Sequence, residues 1–179
     1  MASRALGLFS ERFGEQGGRV RTASGEAAAL EALREELRSA GARRVCVAAS
    51  EDGRCPRLVE ALREEFEVVG PRAPPREIAT CDAGITFPVA AVAETGSIVE
   101  VNFDDSDRLV SSLPPLHLAL LKGSSVLERL LDAAALIREA SRRNFAVTFI
   151  SGPSRTGDIE LRLVMGVHGP HSTVVVVEL

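Results

Sequence analysis

A polar, glycine-containing segment follows an apolar run in the last quarter of the 179-residue chain. Residues 145–150 read Phe-Ala-Val-Thr-Phe-Ile, and residues 151–160 read Ser-Gly-Pro-Ser-Arg-Thr-Gly-Asp-Ile-Glu. This pattern predicts a buried strand that leads into a helix, and open α/β sheets bind ligands at the carboxyl ends of such strands. We therefore expect a ligand site at this break in the sequence.

The side chains of residues 151–160 suit an anionic ligand. Gly152 lets a bound group approach the backbone, and the Arg155 guanidinium matches a carboxylate or a phosphate. Hydroxyl donors come from Ser151, Ser154 and Thr156. Turn and capping chemistry would use the same residue types, with Arg155 paired to Asp158 or Glu160 at the surface.

A second polar cluster, residues 166–171 with the sequence Gly-Val-His-Gly-Pro-His, follows closely and favours a functional site over capping alone. His168 lies between Gly166 and Gly169, where an imidazole can act as an acid, a base or a hydrogen-bond donor near neutral pH. Neither cluster has the spacing of a phosphate-binding P-loop or a dinucleotide fingerprint. A nucleotide site is therefore not predicted.

Glu94, Thr95 and Gly96 place a carboxylate at a glycine turn beside the strand that begins near Ser97. Small apolar neighbours could desolvate Glu94 and raise its pKa, or hold it as a nucleophile or a base. The alternatives are an exposed acid in a turn and a cap for nearby amides.

The run Asp104, Asp105 and Asp107 suggests oxygen ligands, but it lacks the spacing of a calcium loop, and acidic runs are usually solvated. No metal site is predicted. Arg108 follows directly and precedes a loop rich in serine and proline, so its guanidinium is a candidate anion ligand, with a surface cation as the alternative.

Composition indicates one soluble globular domain spanning residues 1–179, with 45% hydrophobic and 26% charged residues. The net charge of −4 argues against nucleic-acid binding. No apolar stretch approaches the roughly 20 residues of a membrane span, and residues 1–21 lack the hydrophobic core of a secretion signal, so we expect a cytoplasmic protein.

The three cysteines form no Cys-x-x-Cys pair, and Cys46 is expected in the core.

Helical and strand patterns alternate along the chain, which predicts an α/β fold, a three-layer α/β/α sandwich with a mainly parallel sheet and an antiparallel pair or hairpin in its middle. Residues 1–23 are expected to form a partly flexible amino-terminal extension. Helices are predicted over residues 27–40, from Pro56 and from Ser125. Predicted strands cover residues 45–49, 67–69, 83–87, 97–102, 117–121, 145–150 and 173–177.

Four ordered motifs resemble the LUD domain, and more narrowly the lactate-utilisation protein C (LutC/YkgG) family. They are residues 93–99, Arg108 with the loop 111–117, residues 151–160 and residues 166–170. The resemblance extends from about Ala42 to the end of the sequence. Gly157 stands where the family more often has alanine.

The resemblance implies a fold similar to the sugar-phosphate isomerase and coenzyme A transferase superfamily (NagB/RpiA/CoA transferase-like). It also implies an accessory role in the oxidation of L-lactate to pyruvate alongside two iron–sulfur partner proteins, in which this subunit itself carries no cluster motif. No cofactor is predicted for this chain. Glu94 and His168 become the catalytic candidates. The implied binding residues for a small carboxylate or phosphate are Thr95, Gly96, Arg108, Ser151, Gly152, Ser154, Arg155, Thr156, Asp158, Glu160 and Gly169.

Two further functions stay open on this resemblance. One is an acyl or coenzyme A transferase in which Glu94 attacks a thioester. The other is a sugar-phosphate binder or isomerase. In the preferred interpretation, Arg155, Glu94 and His168 are expected to surround a single cleft.

Overall fold

A computed structural model describes residues 2–102, 104–157, 163–165 and 169–179. Its helices are α1 (Ala2–Glu15), α2 (Glu26–Ser39), α3 (Arg54–Leu62), α4 (Pro75–Ile78), α5 (Asp105–Val110) and α6 (Ala134–Arg142). Its strands are β1 (Arg19–Ala23), β2 (Arg44–Val47), β3 (Glu67–Val69), β4 (Ala83–Thr86), β5 (Ala90–Val92), β6 (Ser97–Asn102), β7 (Leu116–Lys122), β8 (Val126–Leu127), β9 (Ala146–Ile150), β10 (Arg155–Gly157), β11 (Leu163–Met165) and β12 (Ser172–Glu178).

The main sheet has six strands in the order β1-β12-β7-β4-β2-β3, and every neighbouring pair is parallel. The central strands β7 and β12 are apolar along most of their length because both of their faces are covered. Their register places His117 of β7 between Gly84 of β4 and Thr173 of β12.

Helices α2 and α3 cover one face of the main sheet. Leu33 and Leu37 of α2 and Leu62 of α3 are fully buried against alternate residues of the strands, among them Leu118 and Val174. Because side chains alternate across a strand, the residues next to these, His117 and Thr173, point to the opposite face. The first face is therefore an apolar core, and the polar strand residues face the other layer.

The opposite face carries both helices and a second sheet. Phe9 and Phe13 of α1 are buried against the residues Leu121 and Val175 of the main sheet. The second sheet has the order β8-β5-β6-β9, in which β6 pairs antiparallel with both β5 and β9. Helix α5 packs beside it, with Val110 buried near Cys46 of β2.

The α/β class with a mainly parallel sheet flanked by helices is confirmed, as are the antiparallel pair in the middle and strands 67–69 and 97–102. Residues 2–23 contribute α1 and β1, and β1 joins the sheet along β12. Cys46 is a buried, free thiol as expected, and burial raises the pKa of this thiol.

Two helix predictions are wrong. Residues 155–157 form a strand that pairs antiparallel with β11, so no helix begins there. At Ser125 the chain enters β8, which pairs with β5, and regular α-helix begins only at Ala134. In both places tertiary strand pairing overrides a local capping pattern.

The strand predicted over residues 145–150 is present as β9, but the prediction that this strand is buried is wrong. β9 is an edge strand of the second sheet, and Phe149 is 39% exposed. Within the described residues, no helix combines the length and apolar character that crossing a membrane requires.

Candidate functional site

A cavity of about 630 Å³ lies between the main sheet and β9, and we call it the interlayer pocket. This volume is within the range of small-molecule sites. Its lining comes from α5 and the loop after it, from β9 and the loop after it, and from the start of β12. These lining residues are Arg108, Leu109, Ser111, Ser112, Leu113, Thr148, Ile150, Gly152, Ser154, Gly169, Pro170 and Thr173.

Backbone hydrogen bonds bring three of the four sequence motifs together around this pocket. The Ser154 amide donates to the carbonyl oxygen of Pro170 at 3.0 Å, and the His171 amide donates to that of Pro115 at 2.8 Å. Gly169 has a φ of 106°, and a Cβ atom there would lie 3.0 Å from Cβ of Ser154. Glycine at this position therefore lets the two segments approach each other closely.

Helix α5 reaches the pocket because Gly84 of β4 lets it pack directly on the sheet. A Cβ atom at Gly84 would lie 1.9 Å from the carbonyl oxygen of Val110. The acidic run holds the same helix in place: Asp104 accepts from the Asp107 amide at 3.0 Å, and Asp107 accepts from the Ala49 amide at 3.0 Å. This arrangement positions Arg108 at the pocket.

The acidic run thus acts as a helix cap and a tether. Asp105 is exposed and forms an ion pair with Arg108 at 3.1 Å. In the part of the chain that the structure describes, no three acidic, histidine or cysteine side chains are grouped as ligands for a metal ion.

The pocket lies at the carboxyl end of β9, where the sequence predicts a site, but near the amino-terminal ends of β7 and β12, so it is not at the carboxyl edge of the parallel sheet. The reason is that β9 belongs to the second sheet. The chain leaving β9 at Ser151 turns toward the segment that precedes β12, as the hydrogen bond between Ser154 and Pro170 shows.

A buried hydrogen-bonded network lies between the two sheets next to the pocket. The Thr86 hydroxyl donates to Oε1 of Glu100 at 2.5 Å and lies 2.8 Å from Nε2 of His117. Nε2 of His117 is 3.3 Å from Oε1 of Glu100. All three side chains are at most 3% exposed, so this charged group sits in a medium of low dielectric.

Burial alone would raise the pKa of Glu100, but hydrogen bonding and the charge of His117, with smaller contributions from Thr86 and Ser111, lower it overall. Glu100 is therefore an ionised carboxylate. Ser111 belongs to the pocket wall, and so does Thr148, which is the cross-strand neighbour of Glu100. The network thus adjoins the pocket.

The pocket brings together four of the predicted site residues: Arg108, Gly152, Ser154 and Gly169. Ser151 is adjacent, and its hydroxyl lies 2.8 Å from that of Ser97. Arg155 and Thr156 lie on β10. Asp158, Glu160 and His168 lie outside the described residues.

Glu94 lies in a different cavity, of about 350 Å³, which is lined by α1 and the segment around Arg129. Its Oε2 accepts from the Leu130 amide at 2.7 Å, which is the contact of a cap. Gly96 has a φ of 60° and packs against α1, where a Cβ atom would lie 2.6 Å from that of Arg12. Thr95 lies half-buried between these two residues.

Sequence reasoning missed the network residues Thr86, Glu100 and His117 and the pocket residue Thr173. Each is a polar residue inside an otherwise apolar strand, and that contrast is the signal that could have found them. Their partners are distant in sequence, so no local motif connects them.

Comparison with known proteins agrees with the motif resemblance. The family model described as LUD domain matches residues 6–177. The chain belongs to the LUD domain family. The solved structure of a DUF162 family protein from Deinococcus radiodurans is 22% identical with a TM-score of 0.74, and the match covers 100% of this chain and 99% of that chain. This likeness shows the shared fold.

Curated relatives support the narrower assignment to the lactate-utilisation protein C group. The lactate utilization protein C of Anoxybacillus flavithermus is 41% identical over 87 residues, which is 49% of this chain and 39% of that protein. The protein of the same name from Bacillus subtilis is 39% identical over 93 residues, which is 50% of this chain and 39% of that protein. This LUD domain chain spans about two fifths of the length of the curated relatives it matches.

Proposed function

We propose that this LUD domain protein is an accessory subunit of L-lactate utilisation and binds a small carboxylate in the interlayer pocket. Membership of the family and the names of the curated relatives support the metabolic role. The proposed setting is the cytoplasm, and the proposed unit is a single domain formed by residues 1–179.

One observation carries the ligand proposal: three separate sequence motifs converge on one cavity that has both a cation and hydroxyl groups. Arg108 supplies the positive charge, and Ser154 and Thr173 supply hydroxyls from the loop after β9 and from the start of β12. The Ser112 hydroxyl, by contrast, donates to the carbonyl oxygen of Arg108 at 2.8 Å. A guanidinium with hydroxyl donors is the usual recognition set for a carboxylate or a phosphate.

Isothermal titration calorimetry with L-lactate and pyruvate tests this proposal. We expect the wild-type protein to bind at least one of the two acids, and Arg108→Gln to weaken that binding by about tenfold, the equivalent of one charge-assisted contact. Arg63→Gln is the matched control, because Arg63 is exposed on a different part of the surface. If neither L-lactate nor pyruvate gave a measurable heat of binding, the proposal that the pocket binds a small carboxylate would be contradicted.

The proposed partners are the iron–sulfur subunits of the lactate-oxidising system, in line with the family resemblance. Co-expression with those subunits followed by size-exclusion chromatography tests the association. Co-elution of this chain with both iron–sulfur proteins is the expected result, and separate elution of all three would contradict it.

A further inference from the structure

Three buried polar atoms next to the interlayer pocket have no hydrogen-bond partner among the described residues. They are Oε2 of Glu100, Nδ1 of His117 and Oγ1 of Thr173. Each side chain is at most 3% exposed. Leaving such a group unpaired destabilises the folded protein, so three at one place indicate a site that a ligand completes.

The register of the strands places these atoms together. Thr173 is the direct neighbour of His117 across β12 and β7. His117 is joined to Glu100 through the Thr86 hydroxyl. Thr173 itself lines the pocket, and so do two residues near Glu100, Ser111 and Thr148. We call Glu100, His117 and Thr173 the floor: Thr173 lines the pocket, and the buried side chains of Glu100 and His117 adjoin the lining residues Thr148 and Thr173, while Arg108 is part of the lining.

The hydrogen-bond directions within the floor determine what a ligand must offer. The single hydroxyl proton of Thr86 goes to Oε1 of Glu100, so Nε2 of His117 must donate its proton to Thr86. Oε2 of the ionised Glu100 remains as an acceptor, and it needs a donor from the ligand. The Thr173 hydroxyl can accept or donate.

We propose, building on the carboxylate site above, that the floor formed by Glu100 and Thr173 recognises the hydroxyl group of a 2-hydroxy acid whose carboxylate lies toward Arg108. The ligand hydroxyl donates to Oε2 of Glu100 and accepts from the Thr173 hydroxyl. The site then distinguishes a 2-hydroxy acid from the corresponding 2-oxo acid.

The discrimination follows from the chemistry of the floor. A 2-oxo acid would place a carbonyl oxygen, which is only an acceptor, against the carboxylate oxygen of Glu100. That arrangement leaves a buried charged group unpaired, and sites built around a substrate hydroxyl strongly reject analogues that lack it. We expect L-lactate to bind at least about tenfold more tightly than pyruvate.

The test measures the dissociation constants of L-lactate and pyruvate with the wild-type protein, Thr173→Val and Glu100→Gln. Thr173→Val is the main variant because it removes a buried hydroxyl that has no partner in the described structure, so it should not lower the melting temperature. It should still weaken L-lactate binding by about fivefold to tenfold, the loss of one neutral hydrogen bond, with little effect on pyruvate. Glu100→Gln should reduce the preference for L-lactate.

Thr22→Val on β1 is the control, because Thr22 is exposed and its neighbour on β12 is Val177, at the opposite end of that strand from Thr173. If the wild-type protein bound both acids with equal affinity, and Arg108→Gln weakened the binding of both, the hydroxyl inference would be overturned. The proposed carboxylate site would remain. A Thr173→Val variant that melts at lower temperature and binds L-lactate normally would also overturn it, since the hydroxyl would then be structural. Absence of binding by either acid would overturn both proposals.

Discussion

The imidazole of His117 and the carboxylate of Glu100 lie 3.3 Å apart, measured from Nε2 to Oε1, in the buried layer between the two sheets. Residues of the main sheet and the second sheet are joined here by a polar contact within an apolar core. The Thr86 hydroxyl bridges the two side chains: it donates to Oε1 of Glu100 and accepts from Nε2 of His117. This contact connects the two layers, and it also adjoins the pocket through Thr173 and Thr148, the strand neighbours of His117 and Glu100.

Replacement of Thr86 by valine should destabilise the protein. The variant keeps the shape of the side chain but leaves Oε1 of Glu100 without its short hydrogen bond, which costs about 1–3 kcal/mol of unfolding free energy. Urea denaturation measures the change. The exposed Thr22→Val should stay within about 0.5 kcal/mol of wild type. A Thr86→Val variant as stable as Thr22→Val would show that the bridge contributes nothing.

Gly84→Ala should impair both stability and ligand binding. The added methyl group meets the backbone of Val110, which cannot rotate away, so α5 must shift and carry Arg108 with it. We expect a loss of about 1–3 kcal/mol, measured by urea denaturation, together with weaker L-lactate binding.

Gly7→Ala in α1 is the matched control for that substitution. A Cβ atom at Gly7 has no other heavy atom within 4 Å, and alanine in a helix interior should stabilise by roughly 0.5–1 kcal/mol. Wild-type affinity for L-lactate in Gly84→Ala would contradict the role of α5 in positioning the pocket.

Asp52 should make stability depend on pH in the acid range. Partial burial acts to raise the pKa of Asp52, but Lys122 and Arg54 lower it from 3.8 to about 2. A carboxyl group with a lowered pKa stabilises the fold above its ordinary value, and that contribution is lost as the pH falls from 3.8 toward about 2.

Asp52→Asn should therefore lower stability at neutral pH by about 1 kcal/mol, after allowance for solvent screening of this partly exposed group. The difference from wild type should disappear near pH 2, the shifted pKa. Thermal unfolding followed across this pH range measures it, with the exposed Glu60→Gln as the control. A difference that does not change with pH would contradict the ionic origin.

Glu94→Ala should reduce stability and leave ligand binding unchanged. Glu94 accepts from the Leu130 amide, and removing a cap of this kind costs about 0.5–2 kcal/mol. Glu94→Gln retains a side-chain oxygen and should lose less, as urea denaturation would show. Incubation with an acyl-coenzyme A followed by hydroxylamine and mass spectrometry tests the transferase alternative. An adduct on Glu94 would contradict the purely structural role.

The sequence predicts much of the main sheet because its strands are short apolar runs between turn residues. Residues 67–69 of the main sheet, and also residues 97–102 of the second sheet, match the observed strands at both ends. Predictions fail where pairing partners are remote. The helix predicted from Ser125 begins only at Ala134, because β8 first joins the second sheet, and Leu130 and Leu131 before it are 44% and 72% exposed.

The candidate site was predicted only in part for the same reason. Ser154 and Gly169 stood out because polar, glycine-containing segments are visible locally. His117 appears as one histidine in an apolar strand, and its importance depends on Glu100, which belongs to the other sheet. Contacts between strands of different sheets leave no spacing pattern in the chain.

The most direct measurement is the position of L-lactate in crystals of the protein soaked with it. We expect electron density for L-lactate in the interlayer pocket, with the carboxylate within hydrogen-bond distance of Arg108 and the hydroxyl directed to Oε2 of Glu100. Lactate bound in the cavity beside Glu94, or bound in the interlayer pocket with its hydroxyl directed away from Glu100, would contradict it.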